Sequence, residues 1–116
     1  MKIEIIRDRV TRGELKRIAE SWNRDLVKAV VDIEKRIMAI GGELHADEEV
    51  FLTEQEGSKR EYMWGINLYP DESGDKFIQF DSMINLKPHL NNRSRGVENP
   101  EIREKIKEIV DKLVQE

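Results

Sequence analysis

One short run of the chain, Gly41-Gly42-Glu43-Leu44-His45-Ala46-Asp47-Glu48-Glu49, holds a histidine and four carboxylates. His45, Asp47 and Glu49 are spaced by two. On a β-strand, residues two apart point to the same side, so there the three would converge. An imidazole with two carboxylates is a donor set for Zn, Mn or Fe, and it also equips general acid–base hydrolysis. His45 would be ligand or general base, and Asp47 and Glu49 ligands or acid. The competing reading is plainer: the solvent side of an antiparallel sheet is polar by default. The spacing matches no His-Glu-x-x-His zinc motif, and the chain has only two histidines. The plainer reading therefore takes precedence.

A second set lies downstream. Lys87, His89, Arg93 and Arg95 form the only basic cluster, in a loop that runs toward a helix start at Asn99. Basic side chains beside free helix amides hold phosphate or carboxylate. The alternative is a solvated loop whose arginines pair with nearby carboxylates. Asn67 and Asn85 would share the polar face with His45 and orient a substrate or small anionic ligand. There is no Walker motif, dinucleotide fingerprint or serine nucleophile elbow, and no cofactor is indicated.

The elements that must position these groups follow from patterning. Thr11-Arg12-Gly13-Glu14 has capping-box spacing, and Leu15, Ile18, Ala19 and Trp22 follow as one apolar stripe, which predicts a helix over about 12–22. Asn99 as N-cap with Pro100 at the first helical position opens a last helix, with Ile102, Ile106, Ile109, Val110 and Leu113 on one side. Residues 26–40 fit either a helix ending at Gly41 or a strand pair turning near Lys35-Arg36. Their β-branched content favours strands. Residues 44–86 read as a three-stranded antiparallel meander. Leu44, Ala46, Val50 and Leu52 line the apolar face of its first strand, Glu56–Lys59 forms the turn, and Tyr62, Trp64, Ile66 and Leu68 line the second strand. After a loop over Pro70–Asp75, Ile78, Phe80, Ile84 and Leu86 line the third. That register sets Glu49 near Asn67 and Gln79, and Asp47 near Tyr69. Trp22 and Trp64 read as core residues, and Gly41-Gly42 as a turn or bulge where backbones approach closely. The fold expected is α+β: a mainly antiparallel sheet of four to six strands, with the N- and C-terminal helices packed on one face.

Composition bounds the rest. The chain has 116 residues, net charge −4 and no cysteine. One domain over 1–116 is expected, with no thiolate nucleophile, zinc ribbon or disulfide scaffold. The opening Met-Lys-Ile-Glu-Ile-Ile has charges inside its apolar run, unlike a signal peptide, and no stretch approaches the roughly 20 apolar residues of a membrane span. A cytoplasmic setting with no membrane partner is the expectation. High charge of both signs with scarce glutamine suggests heat adaptation. At most four clustered cations on an acidic body predict no meaningful nucleic-acid binding.

The segments Lys28–Glu34, Gly41–Glu49, Trp64–Pro70, Phe80–Asn85 and Asn92–Glu98, in this order, make the chain resemble an uncharacterised family of short prokaryotic proteins, a domain of unknown function. The resemblance spans nearly the whole chain. It implies a complete stand-alone protein and brings no activity and no functional residue. The function expected is a binding or interaction module, with a homodimer as one form. The alternative is a small metal-dependent or acid–base hydrolytic enzyme on the face around His45, Asp47 and Glu49.

Overall fold

The computed structural model describes residues 2–116. In chain order the elements are β1 (Glu4–Ile6), β2 (Val10–Thr11), α1 (Arg12–Ser21), β3 (Val27–Asp32), β4 (Ile37–Ile40), α2 (His45–Glu56), β5 (Met63–Leu68), β6 (Ile78–Gln79), α3 (Pro100–Leu113) and β7 (Val114–Gln115). Short 3-10 turns lie at Met83–Asn85 and Pro88–Leu90, among others. Five strands form one sheet in the order β1-β4-β3-β5-β6, each pair antiparallel. A separate parallel pair, Val10 with Val114 and Thr11 with Gln115, ties β2 to β7. The α+β expectation holds, with α1 and α3 on the same face of the sheet.

The capping residues act as their types dictate. Thr11 Oγ1 accepts from the Glu14 amide at 3.0 Å, while the Glu14 carboxylate accepts from the Thr11 amide at 3.0 Å. The Asn99 side-chain oxygen accepts from the Glu101 amide at 2.8 Å, with Pro100 opening α3. Residues 26–40 are the strand pair. Their turn is closed by Asp32 Oδ1, which accepts from the Glu34 and Lys35 amides at 2.9 and 3.0 Å, and Arg36 takes a left-handed φ of 58°. Gly41 has φ 94°, and a Cβ there would lie 2.6 Å from the Lys2 carbonyl oxygen, so the close approach expected of this glycine is real.

Period-2 alternation divides the sheet's side chains. Ala29, Val31, Met38, Ile40, Trp64, Ile66 and Leu68 face α1 and α3, where Leu15, Ala19, Ile106, Ile109, Val110 and Leu113 meet them. The opposite face gathers Val30, Ile37, Ala39 and Met63 with Leu52 of α2 and Ile84.

Two segments of the expected meander fold differently. Residues 45–56 are a helix, not a strand, and Gly57 is its left-handed C-cap (φ 66°) rather than part of a hairpin turn. The alternation of Leu44, Ala46, Val50 and Leu52 is a coincidence of placement: Leu44 and Val50 are half-exposed, and Leu52 alone of the four is buried. The third strand stops after Ile78–Gln79. Beyond it the Asn85 side chain takes over the exposed edge of β5. Its Oδ1 accepts from the Gly65 amide at 2.8 Å, and its Nδ2 donates to the Gly65 carbonyl at 2.9 Å. One carboxamide thus presents the donor and acceptor that a neighbouring strand would have offered.

Candidate functional site

The helical repeat sets which side chains α2 buries. Residues at i, i+3, i+4 and i+7 share a face, and here that stripe is His45, Glu48, Glu49 and Leu52. His45 is 7% exposed and Glu48 fully buried, and Glu49 is half-buried. Asp47 lies nearly opposite His45 around the helix and is exposed. The expected convergence of His45, Asp47 and Glu49 therefore does not occur, because it required a strand. Among the described residues, no three His, Asp or Glu side chains are grouped to hold a metal ion.

His45 reaches the sheet, its Nε2 lying 2.8 Å from the Ile66 carbonyl oxygen. A carbonyl only accepts, so Nε2 carries the proton and Nδ1 of the neutral ring is the lone-pair nitrogen. Burial holds the imidazole below its ordinary value. The bond to Ile66 and the Asp81 charge oppose that shift, and the Lys28 and Arg95 charges reinforce it. Gly65 makes the approach feasible: a Cβ there would lie 2.5 Å from the Ser82 side chain and 3.2 Å from the His45 ring. A glycine inside an otherwise alternating strand is the sequence signal for such an approach.

Glu48 is the carboxylate that the strand reading overlooked. Its Oε2 accepts from the Gly42 amide at 3.0 Å, and its Oε1 has no partner. Burial pushes its carboxyl well above the usual carboxylate range; the Gly42 bond and the Lys28 charge offset this in part. Gly42 is required here, since a Cβ would lie 2.8 Å from Glu48 Cγ.

Around His45 the face is polar. Lys28 pairs across strands with Asn67, and Asn67 with Gln79, the last as the register from sequence has it. Asn67 Nδ2 donates to Gln79 Oε1 at 2.9 Å, and Tyr69 donates to the same oxygen at 3.1 Å. Asn67 Oδ1 is buried and unpartnered. Arg95 pairs with Asp81 at 2.6 Å.

The basic loop does not form one cluster. Lys87 turns inward and is fully buried, donating to the Ile84 carbonyl at 2.7 Å with its Nζ 4.7 Å from the Trp64 ring centre. Burial lowers its pKa to about 8, opposed by the Glu49 charge and reinforced by Arg60. His89 and Arg93 are exposed, and the Arg93 amide donates to Glu98 at 2.8 Å. Asn85 also donates to the Arg95 carbonyl at 2.9 Å, and Asn92 donates to the carbonyls of Asn85 and Gly96 at 2.7 and 2.8 Å, so both asparagines hold the loop. Of the residues singled out from sequence, His45, Asn67 and Arg95 belong to one polar layer; Lys87 and Asn85 are interior supports; Asp47 and Arg93 stand apart.

Fold and site together define a small α+β protein whose antiparallel sheet packs α1 and α3 on one face and, on the other, α2 over an apolar patch with a polar layer beside it at His45. The chain belongs to a family described as a protein of unknown function, DUF5674, whose family model matches residues 4–113. No curated protein and no solved structure matches it.

Proposed function

We propose that the chain is a binding module that takes a small anionic ligand in the polar layer at the start of α2. The observation that supports this is the stripe His45, Glu48, Glu49, Leu52: α2 turns polar side chains to a sheet where apolar ones would be more stabilising. A buried polar atom without a partner costs about 1–3 kcal/mol, and Glu48 Oε1 is such an atom; burial favours the protonated form of this carboxyl, which donates to an anion where an ionised one would repel it. Lys28 and Arg95 supply positive charge beside His45, and the Asn67 carboxamide, whose Nδ2 donates to Gln79 and to the Asp81 carbonyl, fixes the wall of the layer. Calorimetric titration with a panel of small carboxylates and phosphates is the test. Saturable binding that is lost in His45→Ala and Asn67→Ala, while both variants stay folded, is the expected result. No binding at millimolar ligand, or binding that both variants retain, sinks the reading.

A hydrolytic role at the same place is the second reading, favoured by the His45 tautomer, which leaves Nδ1 as a general base. It predicts turnover of an activated phosphate or carboxylate ester that His45→Gln abolishes. Wild-type rates equal to the variant's exclude it. Self-association would use β1, whose Glu4–Ile6 backbone has a sheet partner on one side only. Light scattering giving a monomer at all concentrations rejects that form. The inward turn of Lys87 and the Arg95–Asp81 pair also support the expectation that nucleic acid is not a partner, which gel shifts at physiological salt test directly.

A further inference from the structure

On the face away from α2, α3 and the segment 74–80 enclose a groove of about 610 Å³. Its apolar wall is Phe77, Ile78 and Phe80. Phe77 is buried, whereas Ile78 and Phe80 remain half-exposed. Three cations line the same groove: Arg12, Arg103 and Lys107. Two carboxylates, Asp75 and Asp111, complete the charged lining.

The three cations are not equivalent. Arg12 is a strut: it lies 4.0 Å from the Phe77 ring centre, donates to the Pro70 and Glu72 carbonyls and pairs with Glu116. Arg103 is aimed by one bond, Nη1 to the Val97 carbonyl at 3.0 Å, which leaves the rest of its guanidinium fork for a ligand. Lys107 is one helical turn further on, and its nearest carboxylate is Glu104 at 3.6 Å. Like charges at i, i+4 disfavour a helix. A bound anion between Arg103 and Lys107 would turn that repulsion into two charge-assisted bonds. A pocket of this size, with an aromatic wall and a few convergent polar groups, has the make-up of a small-molecule site.

We infer that this groove binds a small molecule that joins a flat aromatic ring to an anionic group, the ring lying against Phe80 and Ile78 and the anion between Arg103 and Lys107. The site is separate from the layer under α2, and its test does not depend on that layer. The probe is naphthalene sulfonate, followed by backbone amide NMR on the full chain, with naphthyl methanol and inorganic sulfate as its separated halves. The expected result is a saturable shift at Ile78, Phe80, Arg103 and Lys107, with neither half matching the whole. Arg103→Gln combined with Lys107→Gln should weaken binding about tenfold or more, with an unchanged amide spectrum outside the groove showing that the variant is folded. No saturable shift, shifts centred on His45 and Asn67, sulfate binding as tightly as the sulfonate, or full binding by the double variant would each overturn the inference.

Discussion

Against α1 and α3 the sheet presents Val31, Met38, Trp64 and Ile66, and the helices answer with Leu15, Ile106, Ile109 and Leu113. Against α2 the same strands mix Val30 and Met63 with Lys28, Gly65 and Asn67, and the helix answers with Leu52 beside His45 and Glu48. Each fully buried aliphatic side chain on the first face contributes about 1.5–3 kcal/mol. On the second face a satisfied hydrogen bond contributes about 1 kcal/mol net, and an orphaned polar atom cancels it. Residue by residue, β3 and β5 alternate between the two tasks. The polar groups are therefore held on strands that the apolar face anchors from the other side.

The comparison breaks first at Ile106. Ile106→Ala opens a cavity in the apolar face and should cost about 2–5 kcal/mol in urea unfolding. A loss below about 1 kcal/mol would mean that this face is not the stabilising one. Next is Asn85→Ala, which strips Gly65 of both edge partners and leaves the Arg95 carbonyl with the Ser82 amide alone. A loss of about 1–3 kcal/mol is expected, with the 80–99 segment becoming susceptible to protease before the rest. Uniform resistance along the chain would contradict the clamp.

Two smaller effects sharpen the contrast through pH. Glu48 is raised above the ordinary carboxyl value of 4.5. Below that value both folded and unfolded chains hold the proton; above it the unfolded chain releases it first. Stability therefore falls as pH rises, until the folded carboxyl ionises too. Glu48→Gln keeps an acceptor for the Gly42 amide, removes this slope and stabilises the fold at neutral pH. Parallel pH profiles for the two proteins would refute it. Lys87 is lowered from 10.5 to about 8, so the opposite sign applies. Between those values the unfolded chain binds the extra proton, and stability rises with pH. Lys87→Met should be the more stable protein at pH 7 and lose the alkaline rise; an intact rise in the variant assigns it to another group.

The apolar face was legible because its signals agree with one another. Thr11 and Glu14 cap the stripe of α1, Asn99 and Pro100 cap that of α3, and Trp64, Ile66 and Leu68 alternate toward both helices. The face under α2 was legible only in part. His45 and Asn67 stood out as residue types and do share a layer, and Asn67 does pair with Gln79, but Glu49 and Asp47, set beside Asn67 and Tyr69 by the strand register, lie on α2 instead. The helix that carries His45 was hidden because its buried stripe is polar while Leu44 and Val50 face outward, the reverse of the pattern that marks an amphipathic helix. Ala46, Glu48, Glu49, Leu52 and Gln55 are good helix formers, and propensity pointed the right way where periodicity did not. Glu48 was passed over because on a strand it would have pointed into the apolar core. Lys87 was read as a loop cation because nothing local marks a lysine that folds back over Trp64.

The Asn85 clamp has a consequence for hydrogen exchange. A backbone amide inside a ladder exchanges when its strands part, and its rate reports on the sheet. The Gly65 amide, in mid-strand, is bonded to a side chain from the 80–99 segment instead. Its exchange is gated by that segment lifting off, while neighbouring amides bonded within β3 and β5 remain closed. One deuterium, in the middle of β5, thus clocks the opening of the 80–99 segment.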